Sequence, residues 1–155
     1  MRRVFPAIAA LIIATALAGC SGAALPTFDE VRDETHLEMQ RIVDRLPAGS
    51  VVRVEDPLPD SSYSCEGGRK YTGQWEVYVA EGFEIQPWLE EVEGDLIEDG
   101  YVAVDSGPSL TRSFSLWTPE TQLLVGVINV DDAEEGPRVE VSGYSRCAQD
   151  PFADE

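Results

Sequence analysis

The sequence predicts an α+β fold, with two helices packed on a mainly antiparallel β-sheet in a single domain. Two segments repeat apolar residues at helical spacing, and six further short segments carry strand patterns bounded by turn residues. The last four strand patterns are joined by short links, which favour antiparallel neighbours because a parallel pair needs a long crossover. At 155 residues and 43% apolar content, the chain is long enough to bury one core without a structural metal.

Thr27 and Glu30 match a capping box at the start of the first helix. Phe28, Val31, Thr35, Met39, Ile42, Val43 and Leu46 then share one helical face, and Pro47 and Gly49 stop it. Residues 51–54 are a β-branched run that reads as the first strand. Residues 55–68 contain Pro57, Pro59, three serines and two glycines and read as a loop. Residues 73–80 alternate, with Trp75, Val77 and Val79 on one side and Gln74, Glu76 and Tyr78 on the other, as in a half-buried strand. Ile85, Trp88, Leu89, Val92 and Leu96 make the stripe of a second helix, in which Pro87 fits only the first turn and Gly100 marks the end. Four strands follow, over residues 101–104, 110–117, 122–130 and 138–144. The third is apolar on both faces, as a central strand is, whereas the fourth alternates apolar with charged residues and has one wet face. Residues 148–155 read as a frayed acidic tail.

Residues 1–19 read as a secretion signal. Arg2 and Arg3 supply its positive end, and the apolar run over residues 4–17 falls short of the about 20 residues that a membrane span needs. The run closes on Leu17-Ala18-Gly19-Cys20, which resembles the lipobox of bacterial lipoproteins. The resemblance implies cleavage before Cys20, acylation of its thiol, and attachment to the membrane by lipid. Residues 20–26 are then the lipidated cysteine and a tether, and residues 27–147 the globular domain. The tether residues 21–26 span about 20 Å when extended, so the domain is expected close to the bilayer. With Cys20 acylated, Cys65 and Cys147 remain as an even pair in an oxidising compartment, and one disulfide between them is expected. It would close a loop of more than eighty residues, worth about 4.5 kcal/mol in chain entropy.

The chain holds 29 Asp and Glu against 11 Lys and Arg, a formal net charge of −18. Loss of Arg2 and Arg3 with the signal leaves nine basic residues and a net charge of −20. Nucleic acid is thereby excluded as a partner, because phosphate binding needs clustered cations. A polybasic grip on the membrane is excluded on the same ground.

Groups suited to catalysis are sparse. His36, the single histidine, lies at the edge of the first helix's apolar face and reads as a boundary residue. Lys70, the single lysine, follows Gly67-Gly68-Arg69, which lacks the Walker pattern and reads as a turn into a strand. No G-x-S-x-G turn is present. Carboxylate pairs of the kind glycosidases use are available, but among 29 acids they carry almost no information, so no catalytic residue is assigned. Asp131, Asp132, Glu134 and Glu135 are the one candidate calcium loop. Ala133 occupies a ligand position and Gly136 falls too late for an EF-hand, so a solvated hairpin loop is expected and no cofactor is assigned. Trp117, out of phase with Phe114 and Leu116 at a strand end, is a candidate exposed anchor. Tyr63 and Tyr71 are further candidates for an aromatic interaction groove, whereas Trp75 and Trp88 belong to the core by their place in the strand and helix patterns.

The L-A-G-C tetrad, the short tether, the two later cysteines and the α+β domain together resemble the small cell-envelope lipoproteins of actinobacteria, including the LppA-like type. Ten arginines against one lysine fit the composition of a high-GC genome. The resemblance implies a protein anchored by lipid at the extracytoplasmic face of the cell membrane, and it brings no catalytic residues. The expected function is non-catalytic binding or interaction, with the membrane engaged through Cys20 and an envelope protein or cell-wall ligand engaged by the domain. The alternative is a membrane-tethered hydrolase acting on cell-wall glycans through a carboxylate pair.

Overall fold

The computed structural model describes residues 24–59, 61–105, 113–130 and 135–152. Helix α1 (Phe28–Val43) leads into strands β1 (Val51–Glu55), β2 (Ser62–Cys65) and β3 (Gly68–Val79). Helix α2 (Ile85–Glu98) follows, and then β4 (Val102–Ala103), β5 (Ser113–Thr118), β6 (Leu123–Val130) and β7 (Arg138–Tyr144). The seven strands form one sheet in the order β1-β3-β7-β6-β5-β4, with β2 also paired to β3. All these pairings are antiparallel. The α+β architecture expected from the sequence is the one observed, and β6 occupies the interior position that its two apolar faces require.

Both helices press on the same face of the sheet, α1 mainly on β3 and β7 and α2 on β5 and β6. Met39, Ile42, Trp88, Leu89, Val92 and Leu96 join Val77, Leu116, Val125, Val127, Val139 and Val141 in one core. Helix α1 starts as its sequence dictates: the Thr27 backbone N–H donates to Glu30 Oε2 at 2.7 Å, and the Glu30 N–H donates to the Thr27 hydroxyl at 3.3 Å. It crosses the sheet where Gly73 and Gly143 face each other across β3 and β7. A methyl group at Gly143 would lie 2.5 Å from Thr35 Cγ2, and one at Gly73 would lie 2.7 Å from Met39 Sδ. The paired glycines are the notch into which α1 settles.

Three local features depart from the sequence reading. Within the expected loop over residues 55–68, β2 forms a hairpin with β3, and β3 therefore begins at Gly68 rather than Gly73. Serines and the prolines upstream hide this strand, which the two-residue turn Glu66-Gly67 and the sheet edge stabilise, Gly67 taking φ 79°. The expected tail does not begin at residue 148. Ala148 is fully buried and bridges to Arg69, whose own N–H donates to the Ala148 carbonyl at 2.9 Å. The end of the expected tether is likewise part of the folded body: Gln149 donates from its backbone N–H to the Pro26 carbonyl at 2.8 Å and from Nε2 to the Leu25 carbonyl at 2.7 Å.

The Cys65–Cys147 disulfide is present, with a Cα–Cα distance of 6.1 Å. It ties the end of β2 to the segment after β7. Arg146 reinforces that segment with a bidentate pair to Glu34 on α1, at 2.5 and 3.0 Å, and a bond to the Thr121 carbonyl at 3.0 Å. Among the described residues no helix is long and apolar enough to cross a membrane.

Candidate functional site

The helices cover one face of the sheet, and the other face carries the candidate site. Along β5, Phe114, Leu116 and Thr118 are buried while Trp117 points the opposite way and is 37% exposed. The strand register sets Trp117 in a row across five strands: Val102 on β4, Trp117, Leu124 on β6, Tyr144 on β7 and Thr72 on β3. Tyr63 joins from β2, opposite Lys70, whose ammonium lies 5.9 Å from the tyrosine ring centroid. Tyr63 and Tyr144 are 43% and 40% exposed. Trp117, Leu124, Tyr144, Tyr63 and Lys70, with Val104 and Ser145, line a depression of about 350 Å³.

The next row along the strands is polar and mostly small. Ser115, Gly126, Ser142 and Gln74 stand in register, and a methyl group at Gly126 would come within 3.0 Å of Ser142 Oγ. Beyond that trough the face becomes charged. Glu55, Glu76 and Glu140 are successive cross-strand partners, an arrangement that like charges disfavour. Burial, followed by the neighbouring Glu76 charge, raises the Glu140 pKa above the ordinary carboxylate value, with Arg138 opposing. Tyr78 carries the Arg53 guanidinium 3.3 Å from its ring centroid, and Arg138 pairs with Glu135 at 2.9 Å. The outer face is therefore aromatic at the end where β3 begins and ionic at the other.

Family models, curated proteins and solved structures give no match to this chain. The chemistry of the site is read from its geometry alone.

A second concavity, of about 290 Å³, opens on the helix side between α1, the end of α2 and the β5–β6 turn. Its inner wall holds Glu38, only 4% exposed. One Glu38 oxygen accepts from Arg41 at 2.8 Å and the other from the Tyr101 hydroxyl at 2.5 Å. The Tyr101 pKa is pushed up to about 12, by burial first and then by the hydrogen bond and charge of Glu38, with Arg41 opposing. Asp99 and Glu120 stand at the rim. Arg45, bonded to Asp99 and to Asp95, clasps the end of α1 to α2. Glu38 is not among the candidates from the sequence, although Val31, Thr35, Glu38 and Ile42 follow the spacing of the buried stripe.

The candidates from the sequence thus separate. Trp117 and Tyr63 share the aromatic depression, and Tyr144, Leu124 and Val104 are the partners that sequence alone did not assign to it. Tyr71 is not in the groove. It is fully buried between Phe28 and His36, because β3 is already a strand at this position and turns the ring toward α1. His36 does more than mark a boundary: its Nε2 is 2.7 Å from the Tyr71 hydroxyl, and its ring packs on Trp75. Of the candidate calcium loop, Asp131, Asp132 and Glu134 lie outside the described residues. Glu135 is engaged by Arg138 and accepts from the Tyr78 hydroxyl at 3.3 Å. Among the described residues no three His, Cys, Asp or Glu side chains are placed to hold a metal ion. Cys20 lies outside the described residues.

Proposed function

We propose that this chain is a lipid-anchored, extracytoplasmic lipoprotein of binding or interaction type, non-catalytic and of the small actinobacterial, LppA-like kind. Acylated Cys20 attaches it to the cell membrane, and the domain presents one interaction face. The observation that supports the binding reading is the uncovered row of Val102, Trp117, Leu124 and Tyr144, extended by Tyr63. Single exposed apolar residues are ordinary, whereas a contiguous row of aromatic and aliphatic side chains in register is the kind of surface that meets a partner. Trp and Tyr suit such a surface because each offers a large rigid ring with a polar edge.

The hydrolase alternative draws on the Glu38 concavity, which has a buried carboxylate and two more acids at its rim. Both Glu38 oxygens are occupied by Arg41 and Tyr101, and the carboxylate ties α1 to the chain after α2. That arrangement favours a positioning role for Glu38 and supports hydrolysis less well than the outer row supports binding.

Two measurements test the proposal. Mass spectrometry of the membrane fraction is expected to find Cys20 as the acylated N-terminus, and an unmodified Cys20 sinks the anchor. A photoreactive residue replacing Trp117 is expected to form an adduct in the intact envelope. Absence of any adduct, with the same residue at the exposed helix position Leu37 as background, refutes the interaction face.

A further inference from the structure

The aromatic depression lies at the end of the sheet from which the chain leads back to Cys20. Lys70 and Thr72 open β3 beside Tyr63 and Tyr144, and the adjacent Arg69 is bridged to Ala148. The next residue, Gln149, holds the carbonyls of Leu25 and Pro26. From Leu25 back to Cys20 the chain reaches at most about 17 Å, while a domain of this size is roughly 35 Å across. If Cys20 is embedded, this end of the domain is kept at the bilayer surface.

The chemistry of this end matches that position. The depression is lined without a carboxylate among the described residues, in a chain with 29 acids, and it contains the chain's single lysine. Trp and Tyr concentrate at membrane interfaces, where the ring sits among apolar groups and the N–H or O–H stays hydrated. Lys70 extends from the same surface on a long apolar stem with a charged tip, which suits a contact with headgroup phosphates. The carboxylate row Glu55, Glu76 and Glu140 stands farther along the strands, about 13 Å from Tyr144 by the strand rise, on the side away from the tether.

We propose that Trp117, Tyr144 and Tyr63, with Lys70 beside them, rest on the headgroup layer of the membrane that carries the lipid, so that the partner of the aromatic row is the bilayer surface itself. This inference rests on the lipid-anchor reading. It fixes an orientation: the outer sheet face leans down at its aromatic end, and the ionic end and the helix side face outward. No polybasic contact is involved, so the contact persists on zwitterionic lipid and weakens as anionic lipid is added, because the acidic body is repelled.

The test uses the full lipidated protein in vesicles of phosphatidylcholine containing a phospholipid brominated high on its acyl chain. Tryptophan emission is expected to be quenched, and Trp117→Phe is expected to lose that quenching with an unchanged thermal melt, because Trp88 is buried and Trp75 packs on the helix side. In parallel, a phospholipid bearing a headgroup diazirine is expected to label wild-type peptides containing Tyr144 and Tyr63. Equal quenching in wild type and Trp117→Phe overturns the inference, as does labelling concentrated at the exposed helix residues Leu37 and Ile97. A protein or glycan adduct in place of a lipid adduct at position 117 overturns it as well. Acylated Cys20 with unquenched Trp117 refutes the orientation and leaves the anchor standing, whereas unmodified Cys20 removes both.

Discussion

Replacing Cys65 and Cys147 together by serine removes a cross-link between residues 82 apart in sequence. In the chain-entropy model a loop of that length constrains the unfolded ensemble by about 4.5 kcal/mol. Unfolding entropy for a domain of roughly 130 residues is about 0.27 kcal/mol/K, so the expected fall in Tm is about 15–20 °C. The structure adds where the loss is felt. The bridge fastens β2, a four-residue strand that pairs with β3 alone, to the segment carrying Ala148. Its removal is therefore expected to loosen β2 and Tyr63 in the native state before the sheet centre yields. Circular dichroism melts of the oxidised wild type and the double variant measure the global term, and amide hydrogen exchange measures the local one. A Tm fall below about 5 °C refutes the entropic magnitude. Exchange that quickens equally in β2 and in β6 refutes the local account.

The bond between Tyr101 and Glu38 gives a second prediction. Tyr101→Phe leaves one oxygen of a buried carboxylate without its donor and is expected to cost about 1–3 kcal/mol at neutral pH in urea unfolding. Because the Tyr101 pKa rises from 10.0 to about 12 on folding, its contribution is complete below pH 10 and is lost as pH climbs through about 12. After allowance for the partly exposed ring, that alkaline loss amounts to about 1 kcal/mol, and the phenylalanine variant is expected not to show it. Glu140 behaves in the opposite practical sense at neutral pH. Its raised pKa means that folding favours the protonated form, a benefit present below about 4.5 and lost as pH rises, so Glu140→Gln is expected to raise the urea midpoint at pH 7 and to bring little gain at pH 4. At Gly68 a methyl group would lie 1.8 Å from the Ala148 carbonyl oxygen. Gly68→Ala is therefore expected to cost about 1–3 kcal/mol and to expose the Arg69 amide to exchange, and an unchanged melt refutes the close approach.

Much of the fold was legible because the patterns that announce it are local. The capping box at Thr27 and Glu30, the stripe of α2 and the alternation of β7 each lie within a dozen residues. Each states its own period, its ends and its buried side. The hairpin β2 was not legible, because Ser62 and Ser64 carry no β signal of their own and the strand exists through its turn, its edge pairing and its disulfide. For the same reason the sequence offers Tyr71 as a groove candidate: without the longer β3, nothing along the chain says which way its ring turns. Glu38 shows the reverse case, a charge whose helical phase already pointed inward but whose partner, Tyr101, lies 63 residues away.

By itself the sequence determined the class of fold, the pairing partners for two cysteines and the outward phase of Trp117, and it is the sole ground for the proposed leader and lipobox. These follow from neighbours along the chain and from periodicity, which local physics reads directly. Only the tertiary structure decided that Trp117, Leu124, Tyr144 and Tyr63 form one surface, that this surface is the face the helices leave uncovered, and that it lies beside the docked Leu25 and Pro26. Those facts depend on strand order and register, and above all on the pairing of β3 with β7, which brings Thr72 beside Tyr144 from distant parts of the chain and is written in no single segment.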